Sequence, residues 1–134
     1  MEKIDFLKQR AKEFWDEANR LFNEGKYNLA AFSLEQAVQL YIKYLIAKKV
    51  GEWPKIHYLP DLFKKLAEIE EDKEFYEFYE NNEIFFDDLS DAYFTSRYLP
   101  KEFNRSLVSA LLENCKKFFK FIEEKLNERF DVNQ

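Results

Sequence analysis

Two glycines, three prolines, one cysteine and one histidine are all that this chain of 134 residues holds of those types, and each scarcity removes a class of structure or chemistry. So few turn formers exclude an all-β sandwich, which needs many more of them. The lone cysteine, Cys115, cannot form an internal disulfide. It falls in an apolar helical stripe and is expected as buried core rather than as a nucleophile. Cysteine and histidine pairs for zinc are missing, and one histidine with scattered carboxylates gives a metal site little support. No metal or other cofactor is expected. The isolated Gly25 and Gly51 cannot make a glycine-rich phosphate loop. Nothing around His57 resembles the turn that presents a catalytic serine, so His57 is expected to cap or anchor the loop before a third helix. No stretch approaches the roughly 20 apolar residues that span a bilayer. Residues 1–5 lack the apolar segment of a signal peptide. The expectation is a soluble, cytoplasmic protein with no membrane contact.

What the chain does have is apolar and aromatic residues, 46% and 19% of the sequence, enough to exclude disorder and to build a real core. Its length predicts one domain over residues 1–134. The apolar residues recur at gaps of three and four, the signature of helices with one buried face. Ile4, Leu7, Ala11, Phe14, Ala18 and Leu21 mark the first. It stops at Asn23-Glu24-Gly25, with Gly25 suited to the left-handed position that follows a helix. Ala31, Leu34, Val38, Tyr41 and Leu45 mark the second, opened by Asn28 as N-cap and stopped by Gly51. The short gap between the two makes them an antiparallel hairpin. A third, short helix opens at Pro60 or Asp61 and carries Leu62, Phe63, Leu66 and Ile69. A fourth begins near Asp72 and runs to Arg97 or Tyr98, since Pro100 disfavours α geometry at Leu99. Asn81-Asn82 interrupts its apolar run and marks a kink or a break. The fifth runs from about Glu102 to Phe130. Together these predict an all-α, up-and-down bundle of about five helices. Phe85, Phe86, Phe118, Phe119 and Phe121 exceed what one stripe hides, so they belong either to an interface or to a larger internal core.

Charge is uneven. Residues 67–92 hold eleven acids against one base, Lys73, within a chain of net charge −5. The segment reads as a solvated acidic face or as a surface that steers a basic partner. The turn at residues 25–30 is similar to that of a tetratricopeptide repeat, but no second copy appears at the period of about 34 residues.

The stretch from Ala92 to Pro100 is not fully explained by helix, core or solvated surface. It sets Arg97 between Tyr93 and Tyr98 at a helix stop. A cation in a last helical turn favours the helix dipole. A guanidinium between two tyrosines also suits a phosphate, gripped bidentately, or a base on which it stacks.

Taken in order, Gly25-Lys26-Tyr27 with Ala30-Ala31, Leu34-Glu35-Gln36-Ala37 leading into Tyr41-Ile42-Lys43-Tyr44-Leu45, the loop with Gly51, Pro54, His57 and Leu59, and Ala92-Tyr93 through Arg97-Tyr98-Leu99-Pro100 resemble a HEPN domain. The resemblance covers most of the chain. It implies a compact helical bundle that dimerises. It further implies either a metal-independent RNA endonuclease with an Arg-x(4–6)-His motif at the dimer seam, or a motif-less module that binds nucleotides or a separately encoded nucleotidyltransferase. Arg97 matches the arginine by position, but Glu102, Phe103 and Asn104 stand where the histidine would be, and Asn104 has no titratable proton for acid–base work near neutral pH. The expectation is therefore a non-catalytic module, a homodimer, in which Arg97, Tyr93, Tyr98 and Asn104 form the nucleotide or phosphate site. It stands against two alternatives: a divergent endoribonuclease acting on RNA, and a protein-interaction module that uses the acidic surface.

Overall fold

The computed structural model describes residues 2–100 and 102–133. Met1, Lys101 and Gln134, all within the expected domain and the first within the N-terminal reading, lie outside the described residues. Six helices follow one another: α1 (Glu2–Asn23), α2 (Tyr27–Val50), α3 (Leu59–Glu70), α4 (Lys73–Asn81), α5 (Glu83–Tyr98) and α6 (Arg105–Leu126). No strand occurs among the described residues, so the chain is all-α as its periodicity predicts. The sixth helix arises because the expected fourth one breaks at Asn82. That residue leaves helical geometry and donates its side-chain amide to Phe78 O at 2.7 Å, while its own carbonyl receives the N–H of Phe86.

The hairpin of α1 and α2 closes through a Schellman motif. Gly25, at φ +77°, donates to Phe22 O at 3.1 Å and Lys26 donates to Leu21 O at 2.9 Å, which satisfies carbonyls that the helix end would orphan. The N-cap of α2 is Lys26 rather than Asn28. Asn28 is drawn into a tertiary contact instead, its side-chain oxygen accepting from Phe103 N–H at 2.7 Å. This ties the start of α2 to the loop before α6.

Gly51 ends α2 at φ +92° with no neighbour within 4 Å of where a Cβ would stand. Gly51→Ala is therefore expected to cost only the left-handed conformational penalty, about 1–2 kcal/mol. Urea unfolding should show the loss with an unchanged m value.

α2 is the axis of the molecule, in contact with α1, α3, α5 and α6. It is apolar on nearly all sides, with Ala30, Leu34, Ala37, Val38, Tyr41, Ile42 and Ile46 each almost fully buried. On α1 the face is shifted slightly from the expected stripe. Trp15 is fully buried while Phe14 is only partly so. The aromatic excess goes to the internal core rather than to an interface. Phe86 and Phe118 are fully buried, Phe85 and Phe119 nearly so, and Phe121 stacks on Phe78 with ring centroids 4.3 Å apart. Cys115 is buried as expected, and burial pushes its thiol well above the usual range.

α6 ends earlier than the sequence predicts. Its apolar spacing carries on to Phe130, but Asn127 turns left-handed at φ +53° and caps the helix. The segment after it folds back across α1 and α2. Trp15 Nε1 donates to Val132 O at 3.1 Å and Tyr41 Oη donates to Glu128 O at 3.4 Å. Phe130 stacks on Phe119 at 4.1 Å. Glu128, nearly buried, is held by Lys8 at 2.6 Å and by Lys48. Although burial works to raise its pKa, these two lysines hold its carboxyl below the ordinary range.

Candidate functional site

The last turn of α5 is stopped by Leu99, which is extended (φ −114°, ψ 151°) ahead of Pro100. That turn places Tyr93 and Arg97 four residues apart on one face. Arg97 folds back so that Nε donates to Tyr93 O at 2.9 Å. Its guanidinium carbon lies 4.8 Å from the ring centroids of Tyr93 and Tyr98 and 5.0 Å from that of Phe32 on α2. Three aromatic faces thus hold an exposed cation. Such contacts contribute about 0.5–1 kcal/mol each at exposed positions and fix the plane of the fork without neutralising it. Neither Nη1 nor Nη2 has a hydrogen bond or an ion-pair partner among the described residues. Arg97, Tyr93 and Tyr98 are therefore brought together as the sequence suggests. Phe32 is an addition that only the packing of α2 against α5 supplies.

Asn104 serves elsewhere. It is the N-cap of α6, its side-chain oxygen accepting from Leu107 N–H at 2.8 Å, and it shares no hydrogen bond with the other three residues.

A second set of residues joins the site from behind. His57, in the loop between α2 and α3, stacks on the ring of Tyr93, with centroids 6.1 Å apart and planes 7° apart. It anchors its loop, as expected, but does not cap α3, whose N-cap is Tyr58 without a side-chain bond. The anchor is a polar line on α2. His57 Nδ1 lies 3.1 Å from Gln39 Oε1 and 3.2 Å from Lys43 Nζ, and Lys43 donates to the same Gln39 oxygen at 3.0 Å. Gln39 in turn donates Nε2 to Glu35 Oε2 at 2.8 Å, and Gln36 donates to Glu35 Oε1 at 2.7 Å. With its amide nitrogen committed to Glu35, Gln39 can present only its oxygen to the lysine and the imidazole. A proton on Nδ1 would be donated to Gln39. Without it, Nδ1 accepts from Lys43.

Glu35 is fully buried. Burial pushes its carboxyl up to about 7, against the opposing pull of Gln39, Gln36, Lys43 and Arg97. Burial likewise pushes the Lys43 ammonium below the usual lysine range, with Glu35 opposing. The sequence did carry a signal for this line. Glu35, Gln39 and Lys43 are spaced i, i+4, i+8 in a helix that is otherwise largely apolar apart from Ser33 and Gln36, which puts them on one seam. The stack of His57 on Tyr93 carries no such signal.

Among the described residues no three of histidine, cysteine, aspartate and glutamate converge as a metal site would require. No helix is long and apolar enough to cross a membrane. The family model that describes the HEPN domain matches residues 4–125. No curated protein and no solved structure matches the chain.

Proposed function

The chain belongs to the HEPN domain family, and within it we propose a non-catalytic nucleotide-binding module whose phosphate contact is Arg97. One observation carries this reading. The Arg97 fork is exposed, held in place by Phe32, Tyr93 and Tyr98, and has both terminal nitrogens uncommitted among the described residues. A planar, preorganised guanidinium of this kind suits bidentate phosphate recognition, and the tyrosine rings offer faces on which a base stacks. In the same proposal the module is a cytoplasmic homodimer that works beside a separately encoded nucleotidyltransferase. The chain itself then contributes recognition and the partner contributes chemistry. Asn104, whose oxygen caps α6, has no hydrogen bond from its side-chain amide N–H groups among the described residues, and in this proposal they face the ligand.

A second reading, a divergent metal-independent endoribonuclease, is favoured by the position of His57. The titratable group missing after Arg97 in sequence is offered from another loop, on the ring that Arg97 also touches. In that reading Arg97 steadies the charged transition state and His57 moves the proton.

Titration of labelled ATP and AMP against the wild type, Arg97→Ala and Arg97→Lys tests the leading reading. Arg97→Ala is expected to weaken binding at least about tenfold, equivalent to about 1.4 kcal/mol, in a chain that stays folded by circular dichroism, its stability lowered by about 1–3 kcal/mol for the lost ring contacts. Arg97→Lys should recover little of the loss, since an ammonium cannot make the fork. Equal binding by all three proteins would sink the assignment of Arg97. An RNA-cleavage assay in chelator, run beside Arg97→Ala and His57→Ala, decides the second reading. Cleavage lost in both variants makes the protein a ribonuclease, and no cleavage by the wild type leaves the binding module.

A further inference from the structure

The break between α4 and α5 opens a groove of about 580 Å³ against α6, and Arg97 is not among the residues that line it. Phe85, Leu107 and Leu111 supply its apolar floor, and Ile84 stands at its lip with 78% of its surface exposed, more than any other large apolar side chain described. Glu80, Glu83 and Asp88 line it on the α4–α5 side, and Lys117 is the one cation among its described lining residues. Glu68, Glu70, Asp72 and Glu74 are matched with Lys65, Lys49 and Lys125. Glu77, Glu80, Glu83, Asp87 and Asp91, on α4 and α5, have no ion pair among the described residues.

Glu70, Asp72 and Glu74 therefore tie α3 and the start of α4 to α2 and α6, while Glu80 and Glu83 border a groove with an apolar floor and have no ion pair among the described residues. A slot with that lining fits a helix that is apolar on one stripe and lysine- or arginine-rich beside it. The apolar stripe covers Ile84 and the floor, and the basic flanks meet Glu80 and Glu83.

We propose that the α4–α5–α6 groove docks a basic amphipathic helix of a protein partner, with Ile84 as the apolar anchor and Glu80 and Glu83 as the selecting charges. This site is independent of the Arg97 reading and stands or falls separately.

The test uses a labelled model helix of leucine and lysine with its leucines on one face, and follows fluorescence anisotropy with the full chain. Two control peptides are a scrambled sequence of the same composition and a version with glutamate in place of lysine. The wild type should bind the amphipathic basic helix, bind the scrambled peptide more weakly and ignore the acidic one. Binding should fall as salt rises towards about 0.5 M. Ile84→Ala, at an exposed position, should keep its circular dichroism and lose at least about tenfold in affinity, as expected for an anchor side chain. Glu80→Lys combined with Glu83→Lys should abolish binding. Three results would overturn the proposal: no binding by the wild type, equal binding of the scrambled peptide, or equal binding by Ile84→Ala. Sedimentation of the wild type and Ile84→Ala supplies a further check. Self-association that Ile84→Ala abolishes would make the groove a contact between copies of this chain and overturn the basic-helix assignment.

Discussion

Trp15→Ala is expected to lower the stability of the folded chain by about 3–5 kcal/mol, the range for deleting a large buried aromatic. That approaches or consumes the whole margin of a domain of this size, typically about 5–15 kcal/mol. The loss has two sources. The indole is fully buried and meets the edges of Phe119 and Phe130, with centroids 5.4 and 6.4 Å away, so its removal leaves a cavity among rings that cannot collapse together. It also donates to Val132 O at 3.1 Å, one of the bonds that hold the segment after α6 across α1. Trp15→Phe separates the two, because it fills most of the space but makes no hydrogen bond. It should recover more than half of the lost stability while amide exchange near residue 132 becomes faster. Chemical denaturation of both variants checks the first claim. A Trp15→Ala protein within 1 kcal/mol or so of wild type would show that the core repacks freely around α1.

The folded chain should become less stable as pH rises from about 4.5 to about 7, and Glu35→Gln should remove that slope. The unfolded chain releases the Glu35 proton near the ordinary value of 4.5, whereas the buried carboxyl in the folded chain keeps it to about 7. Between those values the unfolded state binds fewer protons than the native state, so unfolding becomes easier with each step upward. The stabilising effect of the neutral acid is complete below pH 4.5, fades through 7 and is gone above it. The gap corresponds to roughly 3 kcal/mol. Asp72, whose folded pKa is lowered chiefly by Lys125, acts in the opposite sense and in a lower window, losing its contribution as pH falls through its depressed value. Glu128 behaves the same way. Urea unfolding of wild type and Glu35→Gln at pH 5 and pH 8 isolates Glu35, since every other group is common to both proteins. Parallel stability curves would mean that Glu35 stays ionised throughout, its charge fully balanced by Lys43 and Arg97.

The helices were legible in the sequence because each outer helix has one wet face and one dry one, so period alone exposes it. Errors came where a residue had two suitors. Phe14 and Trp15 both fall near the α1 stripe, and only the position of Phe119 and Phe130 decides that Trp15 goes inside. Asn28 suits a helix cap, yet the loop before α6 claims its oxygen. Leu126 and Phe130 continue a helical spacing, but Asn127 tolerates a positive φ, and the chain uses it to turn back. At the site, Arg97, Tyr93 and Tyr98 were legible because they are neighbours on one turn. Phe32 and His57 were not, because they reach that turn from α2 and from the loop after it, and no local pattern announces a contact between elements so far apart in sequence.

The seam of Glu35, Gln39 and Lys43 also settles a question that apolar packing leaves open on α2. A helix that is greasy all round has no preferred facing, because each residue turns it by about 100° and every facing buries similar surface. Rotate α2 by one residue about its own axis, and the three polar groups would keep their bonds to one another but lose His57 and turn into hydrocarbon, at the cost of burying a charged seam without its outside partner. The seam therefore works as a key that indexes the central helix to a single azimuth. Through that azimuth, Phe32 and the loop bearing His57 are brought to the end of α5, where Arg97 waits.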